Sequence, residues 1–133
     1  MTSHKWPDYG QFLLEKGMAS SFAVYSRDTG RPWTETADLH VDADQVKIIV
    51  SGFLEDMPLR TQGIHFRRQD FVLTRLTWNR EMMTGRASDT GKGCVIYLCR
   101  TCVVIATYED GPMAGLCFFA MEKIGDAFRN KGL

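Results

Sequence analysis

CVIYLCRTCVVIATY, residues 94–108, decides how this chain folds. Cys94 to Leu98 and Val103 to Tyr108 are strand-length runs rich in β-branched and aromatic residues. Between them stand Arg100 and Thr101, so the stretch reads as two strands and the tip of their hairpin. The same stretch holds Cys99-Arg-Thr-Cys102, a spacing shared by half zinc sites and redox pairs. A redox pair of this type sits where a strand feeds a helix, whereas this one joins two strands. A structural zinc site needs two more ligands, and Cys94, Cys117, His4, His40 and His65 show no ligand spacing. The cysteines therefore read as strand and turn residues, with no metal and no cofactor expected. The alternative is a thiol or metal protein built on Cys99 and Cys102, recognisable by bound zinc or a titratable redox couple.

Outward from the hairpin, the rest of the chain divides without repeats. Pro7 suits a first helical turn and Gly17 an end, which predicts a helix over Lys5–Lys16. Ser20–Tyr25 reads as a strand, Asp28-Thr-Gly-Arg31 as a turn, and Pro32–Thr36 as a second short strand. Asp42 is placed to cap a helix running through Phe53, with Val46, Ile49, Val50 and Phe53 on one face. Ile64–Phe66, Phe71–Trp78 and Glu81–Arg86 form a strand meander turned at Asn79-Arg80, followed by a loop from Ser88 to Gly93. After the hairpin, Glu109-Asp-Gly-Pro112 breaks the pattern, and a helix runs from about Pro112 to Lys131 before Gly132. The expected fold class is α+β, one domain over residues 1–133 around a central antiparallel sheet.

Composition narrows the function classes. The 16 basic and 16 acidic residues cancel, so no bulk charge argues for nucleic-acid or membrane binding. No apolar run approaches a membrane span, and MTSHKWPDYG lacks the apolar segment of a signal peptide. Four cysteines without such a signal fit free thiols in a reducing cytoplasm. GRASDTGKG has one residue too many between glycines for a phosphate loop, and Gly93 stands where magnesium needs Ser or Thr. Three scattered histidines offer no nucleophile–base pairing, so no catalytic residue is expected.

The closing third carries more particular signals. Tyr108-Glu-Asp-Gly-Pro-Met113 and Glu122-Lys-Ile-Gly-Asp126, with Gly132-Leu133 at the end, resemble the closing pattern of the profilins. The start agrees: profilins open with W-x-x-Y on a first helix, here Trp6 and Tyr9, and a further aromatic stands at Trp33 in DTGRPWTET. QGIHFRRQDFVLTR resembles the family's middle strand pair. The resemblance spans nearly the whole length. It implies a profilin-like arrangement, with N- and C-terminal helices on one sheet face and short helices on the other. It also implies a monomeric, cytoplasmic, cytoskeletal binding protein with two surfaces, one for monomeric actin and one for proline-rich proteins such as formins.

For the proline-rich site the resemblance implies Trp6, Tyr9, Trp33, Phe128 and Leu133. The physics is coherent, because polyproline is a preformed, solvated helix whose carbonyls accept bonds and whose rings lie on aromatic faces. Trp6 and Tyr9 are three apart and share a helical face; from spacing alone they serve equally as core anchors. Ala127 stands where the family usually carries Tyr or His. For the actin face the resemblance implies Arg75, Arg86, Met113, Gly115, Phe118, Phe119 and Lys123. Asp70 occupies a position where many relatives carry Lys, which reverses a charge. At 100° per residue, Cys117, Met121, Ile124 and Phe128 make the buried stripe of the last helix. Phe119 then falls among Glu122, Lys123 and Asp126 on the polar side, where it reads as a lone exposed apolar residue or, since the resemblance places actin on this helix, as an interface anchor. Together, Asp70 and Ala127 leave room for a divergent member that has lost one surface. Arg60, Arg67, Arg68 and Arg75 form a modest basic patch, which the resemblance associates with phosphoinositides; a solvated strand edge is the plainer reading.

Overall fold

Strands that are apolar on both faces need cover on both faces, and the fold supplies it. The computed structural model describes residues 6–36 and 38–133, with side chains described from Asp8 onward. The elements are α1 (Trp6–Glu15), β1 (Ser21–Ser26), β2 (Pro32–Glu35), α2 (Ala43–Gly52), α3 (Met57–Gln62), β3 (Ile64–Phe66), β4 (Gln69–Leu76), β5 (Met82–Arg86), β6 (Gly93–Leu98), β7 (Cys102–Tyr108) and α4 (Gly111–Asn130). The strands form one sheet in the order β2-β1-β7-β6-β5-β4-β3, and every neighbouring pair is antiparallel.

The decisive hairpin is the centre of that sheet. β6 and β7 pair from Gly93↔Tyr108 to Leu98↔Val103, and the Cys99 N–H donates to the Cys102 carbonyl at 2.8 Å to close the tip. Alternation along the strands then divides the core. Ile96, Leu98, Val103 and Ile105 face the layer of Val46 and Ile49 from α2, Phe53 just after it and Leu59 from α3. Val95, Tyr97, Val104 and Ala106 face the layer of Leu13 from α1 and Cys117, Met121, Ile124 and Phe128 from α4. The expected α+β arrangement, with terminal helices on one face and short helices on the other, is what the chain adopts.

The element boundaries differ in instructive ways. β4 ends at Leu76 rather than Trp78, because Thr77 turns the chain. The Thr77 N–H donates to the Met82 carbonyl and its hydroxyl lies at Asn79, which leaves Trp78 94 % exposed. Arg80 takes a left-handed conformation (φ 58°) in that turn. α3, absent from the sequence reading, is a six-residue helix whose second position is proline. Asp42 does occupy the N-cap of α2, but its side chain makes no cap bond. Its carboxylate instead lies 3.2 Å from His40 Nε2 and 3.3 Å from Arg67. Asp110 caps α4 as a cap should, accepting from the Met113 N–H at 3.0 Å. Lys5, at the expected start of α1, lies outside the described residues.

Candidate functional site

Two surfaces meet along α4. The first is the corner where α1 crosses the end of α4. Tyr9 is half-buried there and stands edge-on to Phe128, with ring centroids 5.0 Å apart and planes at 83°. Phe128 is completely buried, so it supports the Tyr9 ring from below instead of presenting a face of its own. Lys131 Nζ donates to the Tyr9 hydroxyl at 3.0 Å and lies 5.6 Å from the ring centroid. Leu133 is half-buried against the same core, and its carbonyl accepts from Thr101 N–H and hydroxyl at 2.5 and 3.1 Å. That bond ties the chain end to the hairpin tip. Trp33 sits in edge strand β2, 38 % exposed. The Trp6 side chain lies outside the described residues.

The closing Gly125-Asp126 pair is explained at this corner. A Cβ at position 125 would run into the Tyr97 ring. The Tyr97 hydroxyl donates to Asp126 Oδ1 at 2.6 Å, with Glu81 Oε2 3.0 Å away. Burial first, and the two carboxylates after it, hold that phenol well above its ordinary value. Arg129 completes the cluster, donating to the Leu98 carbonyl at 2.9 Å and lying 3.7 Å from Glu81. Glycine lets α4 approach the sheet, and aspartate fastens it.

The second surface is a depression of about 380 Å³ between α4 and the β4–β5 ladder. Arg75, Arg86, Gly115, Phe118 and Phe119 line it with Thr74, Thr84, Ala114 and Glu122. The Arg75 guanidinium lies 5.2 Å from the Phe118 ring and Lys123 Nζ 5.2 Å from the Phe119 ring. Met113 is half-buried in the first turn of α4, and it and Lys123 stand outside this lining. Phe119 is 56 % exposed, on the outer side of α4, as the helical projection expects. Thr74, Thr84 and Ala114 were not foreseen. Small and polar residues carry no signal until the ladder sets them beside arginines.

Asp70 does not enter this depression. It lies at the far end of β4, where its carboxylate is 2.8 Å from His65 Nδ1 across the β3–β4 pair. That bond first, with the negative charge behind it, raises the His65 pKa above its ordinary value. Nor do the four arginines of the expected basic patch converge. Arg60 pairs with Asp56 on α3, and Arg75 lies over Phe118. Arg67 and Arg68 line a polar depression of about 820 Å³ that also holds Asp38, Asp70, Asp89 and Glu109.

All four cysteines are free and fully buried. Burial pushes the Cys117 thiol up to about 12 and Cys94 higher still. The hydrogen bond to Cys99, reinforced by burial, raises Cys102 as well. These are thiols of a packed interior, Cys94 on the α2–α3 side of the sheet and the other three on the α1–α4 side, with Cys99 Sγ 3.9 Å from the Gly125 carbonyl. Among the described residues no group of three or more His, Cys, Asp or Glu side chains is placed to hold a metal ion, and no helix is long and apolar enough to cross a membrane.

Comparison with known proteins places this geometry. The family model that matches is described as profilin, and it covers residues 4–133. A curated relative named profilin from Saccharomyces cerevisiae is 27 % identical over 121 residues, spanning 91 % of this chain and 93 % of its own. Among solved structures, profilin II of Acanthamoeba castellanii superposes with a TM-score of 0.84 at 18 % identity, covering 97 % of this chain and 100 % of that one. Mouse profilin IIa, solved in complex with a double repeat from the FH1 domain of mDia1, gives 0.77 at 14 % identity over 97 % and 99 %. LokiProfilin2, solved in a complex with rabbit actin, gives 0.69 at 17 % identity over 94 % and 98 %.

Proposed function

Since the chain belongs to the profilin family, we propose that it binds monomeric actin and proline-rich ligands of the formin type through two separate surfaces and so regulates actin polymerisation. It does this by binding alone, without catalysing a reaction, as a monomer of one domain in the cytoplasm. The observation that carries the reading is the division of labour along α4. Its outer side brings Phe118, Phe119 and Gly115 beside Arg75 and Arg86. Its last turns bring Phe128 beside Tyr9 of α1, and Leu133, just beyond them, packs against the same core.

The first group has the make-up of a protein interface, with aromatic anchors beside arginines and polar residues at the rim. We assign it to actin, with Met113 and Lys123 on its border. The second group has the make-up of a proline-rich site, flat rings with donors beside them. Tyr9, Trp33 and Leu133 form its surface, Phe128 supports it, and Trp6 joins it on the strength of the family pattern. That two profilins of this fold were solved with actin and with FH1 repeats supports both halves. Of the two departures, Asp70 stands away from the depression, so the reversed charge leaves Arg75 and Arg86 in place.

The test is direct. Added to actin under polymerising conditions, the protein should lengthen the nucleation lag, and its indole fluorescence should change on adding oligoproline. A protein that altered neither would share the fold without the function.

A further inference from the structure

An apolar furrow of about 830 Å³ runs between α1 and α4. Phe12, Leu13 and Met18 form one side of it, and Phe119, Ile124 and Ala127 the other. It shares Tyr9 with the proline-rich site and reaches past Trp33 and Leu133 to Phe119 and Lys123 at the border of the surface assigned to actin, so it continues the proline-rich site along α1 and α4. On α4 its wall is a stripe at i, i+4, i+8 and i+12: Phe119, Lys123, Ala127 and Lys131. Alanine at 127 puts no ring into the space.

Ammonium groups outnumber carboxylates in the lining of the furrow, Lys123 and Lys131 against Asp8, and Lys16 stands beside it. Lys16 Nζ lies 5.9 Å from the Phe12 ring, Lys123 Nζ 5.2 Å from Phe119, and Lys131 Nζ 5.6 Å from Tyr9. Each aromatic of the furrow thus has an ammonium group over it, while the lining holds one carboxylate, Asp8. Phe12 and Phe119 are 51 % and 56 % exposed, which is unusual for two phenylalanines facing one groove. An apolar floor with a cationic rim complements apolar side chains flanked by carboxylates. The concave shape between two helices fits a peptide, whereas a lipid surface is met by apolar groups that project.

We propose that this furrow takes the segment flanking a proline-rich ligand when that segment carries acidic side chains beside a large apolar one. The proposal rests on the assignment of the proline-rich site at Tyr9. A ligand leaving that site crosses Ala127 and sets its apolar side chain between Phe12 and Phe119. Its carboxylates meet Lys16, Lys123 and Lys131. Proline-rich partners are then sorted by what adjoins their prolines.

The experiment compares three peptides: an oligoproline, the same oligoproline followed by Glu-Leu-Phe-Glu, and the same followed by Lys-Leu-Phe-Lys. Each is titrated into the wild type and a Lys16→Glu/Lys123→Glu double variant, at low and high salt. The acidic flank should tighten binding about tenfold over the basic one, as a few partly exposed charge pairs allow. That ratio should shrink at high salt and reverse in the double variant. Equal affinities for acidic and basic flanks in the wild type would overturn the proposal. So would capture of the protein by anionic vesicles with no preference among peptides. If oligoproline itself fails to bind, the assignment at Tyr9 has failed. The acidic tetrapeptide segment, offered without prolines, then tests the furrow alone: its binding supports an acidic-peptide site, and its failure removes that site too.

Discussion

Tyr9 meets Phe128 edge to face, 5.0 Å between ring centroids, and this contact helps join the first helix to the last. The two rings have different duties, because Phe128 is sealed and Tyr9 is not. Phe128→Ala should cost about 3–5 kcal/mol of stability, as for other fully buried phenylalanines. Tyr9→Ala should cost less in stability and lower oligoproline affinity about tenfold or more. Urea denaturation and peptide titration, run on both variants, separate the roles. Equal loss of stability in the two would mean that Tyr9 is a core residue and not a binding face.

Gly125 is required by the Tyr97 ring lying against it. In an exposed helix, Gly→Ala gains up to about 1 kcal/mol from propensity. Here the added methyl must displace a ring whose hydroxyl is bonded to Asp126 and flanked by Glu81, so Gly125→Ala should be destabilising by about 1–3 kcal/mol. Thermal denaturation gives the sign. A variant as stable as the wild type would show that α4 slides freely on the sheet.

His65 should titrate above the ordinary imidazole value of about 6.5 and return towards it in Asp70→Asn. A histidine whose pKa is raised by folding stabilises the native state below the unfolded value. That contribution fades as pH rises through the native one. Both partners are largely exposed, so the stability at stake is small, below about 1 kcal/mol. Proton NMR of the imidazole is the suitable reading. An unchanged titration in Asp70→Asn would remove the pair as the cause.

Phe119→Ala should weaken actin binding about tenfold or more while leaving the melting temperature within a few degrees of the wild type, since half of the ring is already in water. Sedimentation or gel filtration with monomeric actin reads the first, calorimetry the second. Unchanged actin affinity would show that Phe119 serves only the furrow beside it.

Long-range order was legible where periodicity is strong. The continuous apolar runs of β6 and β7 placed the hairpin, and the α4 stripe placed Cys117, Met121, Ile124 and Phe128 inside. The lone aromatic on the polar side, Phe119, came out on the surface as its phase requires. What stayed hidden depended on partners distant in the chain. Phe128 reads as a candidate contact residue until Tyr9 is seen on top of it. Asp70 reads as a change at the actin face until the β3–β4 register gives it to His65. The furrow was legible in principle, because Phe119, Lys123, Ala127 and Lys131 repeat every four residues. Its meaning appears only when Phe12 arrives from the other end of the chain. Cys99 and Cys102 show the converse case, a motif with chemical spacing whose two thiols the fold buries in its interior.

The central claim is that two surfaces act independently on one helix. The most direct measurement is a titration of monomeric actin into the protein with and without saturating oligoproline, following complex size and indole fluorescence together. Both ligands should bind at once, and oligoproline should leave the actin Kd within a few-fold. Displacement of one ligand by the other, or actin binding that vanishes in the presence of oligoproline, would contradict that claim.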